Sequence, residues 1–325
     1  MPEYTTVGGS QPRNPQKDGA LGKSPYGNRK GAGAPVRRGF IERVDEGPSP
    51  LSLLLSGANA SRGGGGRGGR LRVAVELTLL WQLARSPHTT IRPARYWAEL
   101  LQLDDPEKAG ARAIRNTLLE LERRGFVRTE DRGPGKVPEI ILCDETLQGS
   151  DYKLPYLQAI EEGREGQTSY FRVPETFWST GLCASLSGAG IAMYLIALSR
   201  AGWGDNPSFW ISPSRFGEEY GLGDSTRKKG LRELVDQGVL THELQSIDRS
   251  GHAGYRRFQR SVYTIIAKYR AVGSTEPPPP LPAARSVHQL PPGTSFEDLF
   301  AFFRSVGGIP APSDLQAASA DIESD

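Results

Sequence analysis

The sequence of 325 residues predicts an α+β fold built from two small domains in succession. Two observations support this prediction. The same order of signals, namely helix, helix, turn, helix and two strands, occurs twice between residues 70 and 271. Glycine and proline are concentrated outside that region, so the apolar residues available for cores lie inside it. We therefore interpret the repeated order as a repeated domain.

The first copy begins with a helix over residues 71–85, which is apolar on most of its surface and is expected to be buried. A short helix opens at Pro93, because proline is favoured at the first position of a helix. A third helix over 106–124 follows and ends at a glycine. Two strands, 126–130 and 139–142, close the copy and are joined by a polar turn.

The second copy shows the same signals in the same order. Ser187 caps its first helix, and Ser212 caps a short helix that begins at Pro213. The other predicted elements are a short strand, a third helix and two closing strands, at residues 209–211, 225–237, 239–244 and 257–266.

The third helix of each copy places polar and mostly cationic side chains opposite its apolar residues, at 100° per residue. Arginine can donate two hydrogen bonds to guanine O6 and N7, and asparagine can pair with adenine N6 and N7. Such a face is suited to the major groove of duplex DNA. The candidate DNA-binding residues are Lys108, Arg112, Arg115, Asn116 and Arg123 in the first copy and Ser225, Thr226, Arg227, Lys228, Lys229 and Arg232 in the second.

Leu119 falls on the same exposed face, and two interpretations are open for it: contact with a thymine methyl group, or packing on another domain. The loops between the closing strands add further cations, which we expect to contact phosphates without reading sequence. They are Arg132 and Lys136 in the first copy and Arg249, Arg256 and Arg257 in the second.

The net charge of +3 is divided unevenly along the chain. Residues 1–69, 70–143 and 168–271 carry +5, +3 and +4, whereas 144–167 and 272–325 carry −4 and −5. Positive charge therefore lies on the N-terminal region and on both predicted domains, where a polyanion can use it. We expect a disordered arm at 1–69, winged domains at 70–143 and 168–271, an acidic linker at 144–167 and a Pro-rich tail at 272–325.

The tail contains one segment with a helical pattern, at residues 295–306. Phe296, Leu299, Phe300 and Phe303 form an apolar stripe there at spacings of three and four. Two interpretations are open: the stripe binds a partner protein, or it covers an exposed part of the second core.

Residues 211–243 (ISPSRFGEEYGLGDSTRKKGLRELVDQGVLTHE) resemble winged-helix DNA-binding regions, in which two helices and a turn precede a β-hairpin wing. Residues 95–130 (RYWAELLQLDDPEKAGARAIRNTLLELERRGFVRTE) resemble them too, with a longer turn. The paired arrangement is similar to proteins of GC-rich bacteria and, more loosely, to winged-helix transcriptional regulators and to the tandem winged-helix replication initiators of plasmids and phages. The resemblance implies two winged-helix domains and sequence-specific binding of double-stranded DNA, in transcription or at the origin of a mobile element.

No pattern in the sequence indicates an enzyme, a cofactor or a metal site. The histidines and cysteines lack the paired spacing of a zinc site, and Gly22-Lys23-Ser24 lacks the upstream glycine of a phosphate-binding loop. The alternative function is a protein-interaction scaffold that uses the same domains to bind partners. Since no signal peptide or apolar span is seen, we expect a cytoplasmic, nucleoid-associated protein without membrane contact; the oligomeric state is left open.

Overall fold

The computed structural model describes residues 33–44, 46–57, 68–148, 151–161, 170–201, 207–247 and 258–270. All of them belong to one compact unit bounded by Met1 and Pro277. The second unit, Pro278–Asp325, contains no described residue, so the predicted helix at 295–306 lies outside the described residues. Helices and three small antiparallel sheets make up the described part, which confirms the α+β class.

Residues 33–57 are folded where they are described, contrary to the expectation that 1–69 forms a disordered arm. They form strand β1 (Ala34–Arg37), helix α1 (Arg38–Ile41) and helix α2 (Pro50–Leu55). Ser49 caps α2 by accepting a hydrogen bond from the backbone N–H of Ser52. The apolar side chains of this segment are fully buried at Phe40, Ile41, Leu51 and Leu54.

The first copy contains the predicted helices and hairpin. Helix α3 (Gly68–Gln82) is buried on most sides, and strand β2 (Thr89–Thr90) and helix α4 (Ala94–Leu100) follow it. The remaining elements are helix α5 (Ala111–Arg123) and the hairpin of β3 (Val127–Glu130) and β4 (Glu139–Leu142). The strands pair in the order β2, β4, β3. The sequence did not predict β2, because two residues are too few to show an alternating pattern.

A turn of π-helix, Pro106–Gly110, leads directly into α5. Asp105 precedes this turn with a φ of 45°, and its carboxylate accepts a hydrogen bond from the backbone N–H of Ala109 at 3.4 Å. Gly125 follows the helix with a φ of 84°, a left-handed conformation that favours glycine. The third helix of the first copy therefore lies where it was predicted, with a wider first turn.

The predicted linker, 144–167, is partly folded, because helix α6 (Pro155–Glu161) lies within it. Strand β5 (Tyr170–Val173) and the short helices α7 (Thr176–Ser179) and α8 (Leu182–Ser185) follow inside the predicted second domain, before its repeated elements. Strand β5 pairs with β1 in antiparallel register. Asp144 and Glu145, expected to open the acidic linker, are buried. Glu145 accepts a hydrogen bond from the backbone N–H of Arg37 at 3.0 Å and forms an ion pair with its guanidinium.

The second copy repeats the order of the first. Its elements are α9 (Gly188–Ala201), β6 (Ser208–Phe209), α10 (Pro213–Tyr220), α11 (Asp224–Asp236), β7 (Leu240–Ile247) and β8 (Phe258–Ile265). The strands pair in the order β6, β8, β7, which is the topology of the first sheet. Gly238 ends the third helix with a φ of 66°, as Gly125 does in the first copy.

The two copies share one core, whereas the sequence predicted two separate ones. Helix α3 packs against α9, and the stacked indole rings of Trp81 and Trp178 are 4.2 Å apart. Trp178 Nε1 donates a hydrogen bond to Thr78 Oγ1 at 2.9 Å. Buried residues form one cluster that extends through both copies. Trp178 is fully buried in this core, whereas Trp210 is 44% exposed.

Candidate nucleic-acid interface

Helix α5 presents a cationic face to solvent in the first copy. Ile114 and Leu121 are fully buried on its inner side. Arg112, Arg115 and Asn116 are exposed on the opposite side, and neither arginine forms an ion pair with any described residue. Lys108 is exposed too, in the π-helical turn before α5. These four predicted residues are therefore available to an anionic ligand.

Arg123, the remaining predicted residue of α5, is exposed but engaged with its own helix. Its guanidinium donates a hydrogen bond to Glu120 at 2.9 Å. This hydrogen bond holds the pKa of Glu120 below its usual value. Because both side chains are exposed, the pair contributes little to stability, and a phosphate can compete for the arginine.

Helix α11 presents the equivalent face in the second copy. Leu231 and Leu234 are buried, whereas Ser225, Lys229 and Arg232 are exposed. Neither Lys229 nor Arg232 forms an ion pair with a described residue. Thr226 is half-buried at the first turn. The exposed residues lie along one side of the helix, as the sequence predicted.

Asp224 engages the two remaining predicted residues of α11. Its carboxylate accepts hydrogen bonds from Lys228 Nζ at 2.8 Å and from Arg227 Nε at 2.7 Å. These two bonds, chiefly that from Lys228, lower the pKa of Asp224. The Arg227 side chain is only 12% exposed, so in this conformation its guanidinium does not project from the face, whereas Lys228 is exposed.

Equivalent positions of α5 and α11 can be identified from the glycine that ends each helix. When Gly125 is aligned with Gly238, Arg115 corresponds to Lys228 and Asn116 to Lys229. The buried Leu121 then corresponds to the buried Leu234. This agreement between buried positions shows that the two cationic faces occupy the same side of equivalent helices.

The β3–β4 turn carries the predicted wing cations of the first copy. Arg132 and Lys136 are both exposed there. Gly133, with a φ of 98°, donates its backbone N–H to the Asp131 carboxylate at 2.9 Å, which shapes the turn. In the second copy, the predicted Arg249, Arg256 and Arg257 lie outside the described residues.

Two exposed cations at the N-terminal end of helix α4 were not among the predicted residues. Arg92 lies over the ring of Tyr96 at 4.2 Å from its centroid, and Arg95 is exposed in the first turn of α4. Arg92 precedes the N-cap residue Pro93, and Arg95 follows it by two residues. The sequence RPAR (92–95) already carried this signal, because it places a proline at the start of a helix between two arginines.

The described residues also form an open groove of about 640 Å³, lined by residues of α1, α9, α10 and β6. Its charged groups are already engaged, because Arg200 bonds to Glu219 and Arg38 lies 3.8 Å from Glu42. Within the described part of the chain, no group of three or more histidine, cysteine or acidic residues is placed to hold a metal ion. The described helices also include none long and apolar enough to cross a membrane.

Comparisons with family models, with curated proteins and with solved structures found no match to this chain. Any functional conclusion therefore rests on the chain's own residues and their arrangement.

Proposed function

We propose that this protein binds duplex DNA sequence-specifically through two winged-helix modules carried on one body. The observation that supports it most is the equivalence of the two exposed cationic faces on α5 and α11. Each belongs to the third helix of a copy, and each is followed by a hairpin whose strands pair in the same order. In helix-turn-helix proteins, that helix enters the major groove and its exposed side chains contact base edges.

The chemistry of these side chains fits the ligand. Arg112 and Arg115 have the forked donors that read guanine, and Asn116 has the donor and acceptor that read adenine. Lys229 and Arg232 supply the same class of interaction in the second module. Arg132 and Lys136 lie in the hairpin turn of the first module, from which a wing reaches the phosphate backbone. Such a protein acts as a transcriptional regulator or as an origin-binding protein of a mobile element.

The experiment is selection of bound duplexes from a random pool, followed by affinity measurements on the selected site. The double variants Arg112→Ala/Arg115→Ala and Lys229→Ala/Arg232→Ala should each weaken binding by about 1 to 3 kcal/mol for every base that the variant no longer reads. A matched control, Lys153→Ala/Arg172→Ala, removes one cation just before α6 and one from β5 and should leave affinity nearly unchanged. Mapping bound sites in the genome then separates promoters from an origin.

A protein-interaction scaffold is the second candidate, and the 63% exposure of Leu119 is the observation that favours it. On that hypothesis, α5 binds an apolar surface of a partner rather than DNA. Failure of the purified protein to bind any duplex at low salt would contradict the DNA-binding proposal and support the scaffold instead.

A further inference from the structure

Leu119 is the apolar exception on an otherwise polar helix face. Its side chain is 63% exposed, in a chain where most leucines of the described helices are buried. At 100° per residue it lies within about 20° of Arg112, at the middle of the exposed side of α5. No described element covers this face, so of the two interpretations of Leu119, packing on another domain finds no support among the described residues.

The neighbours of Leu119 indicate the charge of what binds there. Arg115 and Asn116 lie one helical turn before it, Arg112 two turns before it, and Arg123 one turn after it. An apolar protein surface laid over this face would bury Arg112 and Arg115 without a counter-charge, which is costly. A polyanion supplies the counter-charge for both arginines, and it can also contact Leu119 if it carries an apolar group.

The major groove of DNA offers one such group, the 5-methyl of thymine, which lies among the acceptors that arginine and asparagine read. The equivalent position in α11 is Arg232, which is also exposed. At this position the two helices differ: α5 presents the isobutyl group of Leu119, and α11 presents the guanidinium of Arg232.

We infer that Leu119 contacts the methyl group of one thymine and so determines specificity in the first half of the DNA site. The half-site read by α5 then contains a thymine at that position, and the half-site read by α11 has a guanine or a phosphate contact there instead. This inference rests on the proposed function, since it requires that α5 lies in the major groove.

The test replaces each thymine of the selected site, one at a time, with deoxyuridine, which removes the methyl group and leaves every hydrogen-bonding group in place. The wild-type protein should bind one substituted duplex about three- to fivefold more weakly, the change expected when one methyl group is no longer buried. Leu119→Ala should bind the thymine and deoxyuridine forms of that duplex equally. Its melting temperature should equal that of the wild type, because Leu119 is exposed.

Leu157→Ala is the matched control, since Leu157 is also an exposed helical leucine, at 41%, but lies on α6. This variant should retain the wild-type sensitivity to deoxyuridine. The inference is overturned if no thymine is sensitive, or if Leu119→Ala keeps the full sensitivity of the wild type. Either result leaves the proposed function standing, whereas absence of duplex binding by the wild type removes both.

Discussion

Glu76 lies in the middle of α3 with its carboxyl group fully buried, and neither oxygen has a hydrogen-bond partner among the described residues. Burial, with a smaller effect of the nearby Glu145 carboxylate, raises its pKa well above the usual value. Glu145 is buried beside Arg37, and its pKa is raised by burial although the guanidinium opposes the shift. The folded state therefore favours protonated Glu76.

Replacing Glu76 with glutamine should make stability less dependent on pH. A carboxyl whose pKa is raised on folding contributes stability that is fully present below its unfolded pKa, about 4.5, and that is lost as the pH rises towards its folded value. The unfolding free energy of Glu76→Gln, relative to the wild type, should thus increase by up to about 1.4 kcal/mol per pH unit above pH 5. Urea unfolding at pH 5, 6, 7 and 8 measures this difference. A constant difference across the series would contradict it.

Gly230 allows α11 to cross α9 closely. A Cβ atom at this position would lie 2.3 Å from the carbonyl oxygen of Ala189 and 2.5 Å from Met193 Cγ. Gly230→Ala should therefore lower stability by about 1 to 3 kcal/mol despite the better helix propensity of alanine. Gly217→Ala in α10 is the matched control, because its Cβ would meet nothing closer than 4.0 Å. Thermal melting should show a lower midpoint for the first variant and an equal or higher one for the second; equal melting of both would refute the packing argument.

For individual residues, the helical period correctly predicted that five side chains are exposed: Arg112, Arg115, Asn116, Lys229 and Arg232. It did not predict that a hydrogen bond to Asp224 would keep the Arg227 guanidinium close to the helix and largely out of solvent. An arginine near a carboxylate three residues away can bond to it or extend into solvent, and the period is the same in both cases. The position of Arg72 could not be read from the helical period either. This arginine is buried, and its Nε donates a hydrogen bond to the carbonyl oxygen of Leu54 at 2.8 Å.

Among the elements, the third helices and the hairpins were predictable because their signals are local. Apolar periodicity, a capping or proline start and a glycine end lie within one stretch of sequence in each. The elements β1, α1 and α2 were missed because each has only four to six residues and lies among glycines and prolines. Their structure depends on tertiary contacts such as the hydrogen bond from Ser49 Oγ to the carbonyl oxygen of Tyr220 at 2.8 Å.

The β3–β4 turn should contribute affinity without specificity. Arg132→Ala and Lys136→Ala each remove one exposed cation, so each should reduce the slope of log K against log salt concentration by about 0.9 for every phosphate that is no longer neutralised. Affinity should fall by a similar factor for selected and unrelated duplexes, whereas the α5 variants should discriminate less between them. Titrations of both duplexes between 50 and 200 mM salt, conditions chosen to give about a fourfold range, measure this slope. An unchanged slope would place the turn away from DNA.

For the whole molecule, the shared core changes what the repeated order implies. The acidic segment suggested a flexible connection that lets two modules find their own grooves. Instead α3 packs on α9, and the described residues of both modules belong to one unit. The sequence could not show this, because an apolar helix that packs on its own domain and one that also packs on a neighbour have the same composition. On the proposed function, a single body that carries α5 and α11 has one spacing between its two half-sites.

Rigid spacing is tested by inserting five base pairs, about half a helical turn, between the two halves of the selected site. The insertion rotates one half-site to the opposite side of the duplex, so affinity should fall to that of a duplex with a single half-site. Insertion of about ten base pairs should not restore the full affinity either. Both half-sites then lie on the same side of the duplex, but the distance between them no longer matches the distance between α5 and α11. Full affinity on every insert would indicate independent modules on a flexible connection.

Footprinting on the selected duplex tests the central claim most directly, namely that α5 and α11 of one body both contact DNA. We expect two protected segments that together cover roughly two helical turns. Arg112→Ala/Arg115→Ala should remove protection from one segment, and Lys229→Ala/Arg232→Ala from the other, at protein concentrations that saturate the remaining half. A single protected segment that is unaffected by the α11 variant would contradict the claim.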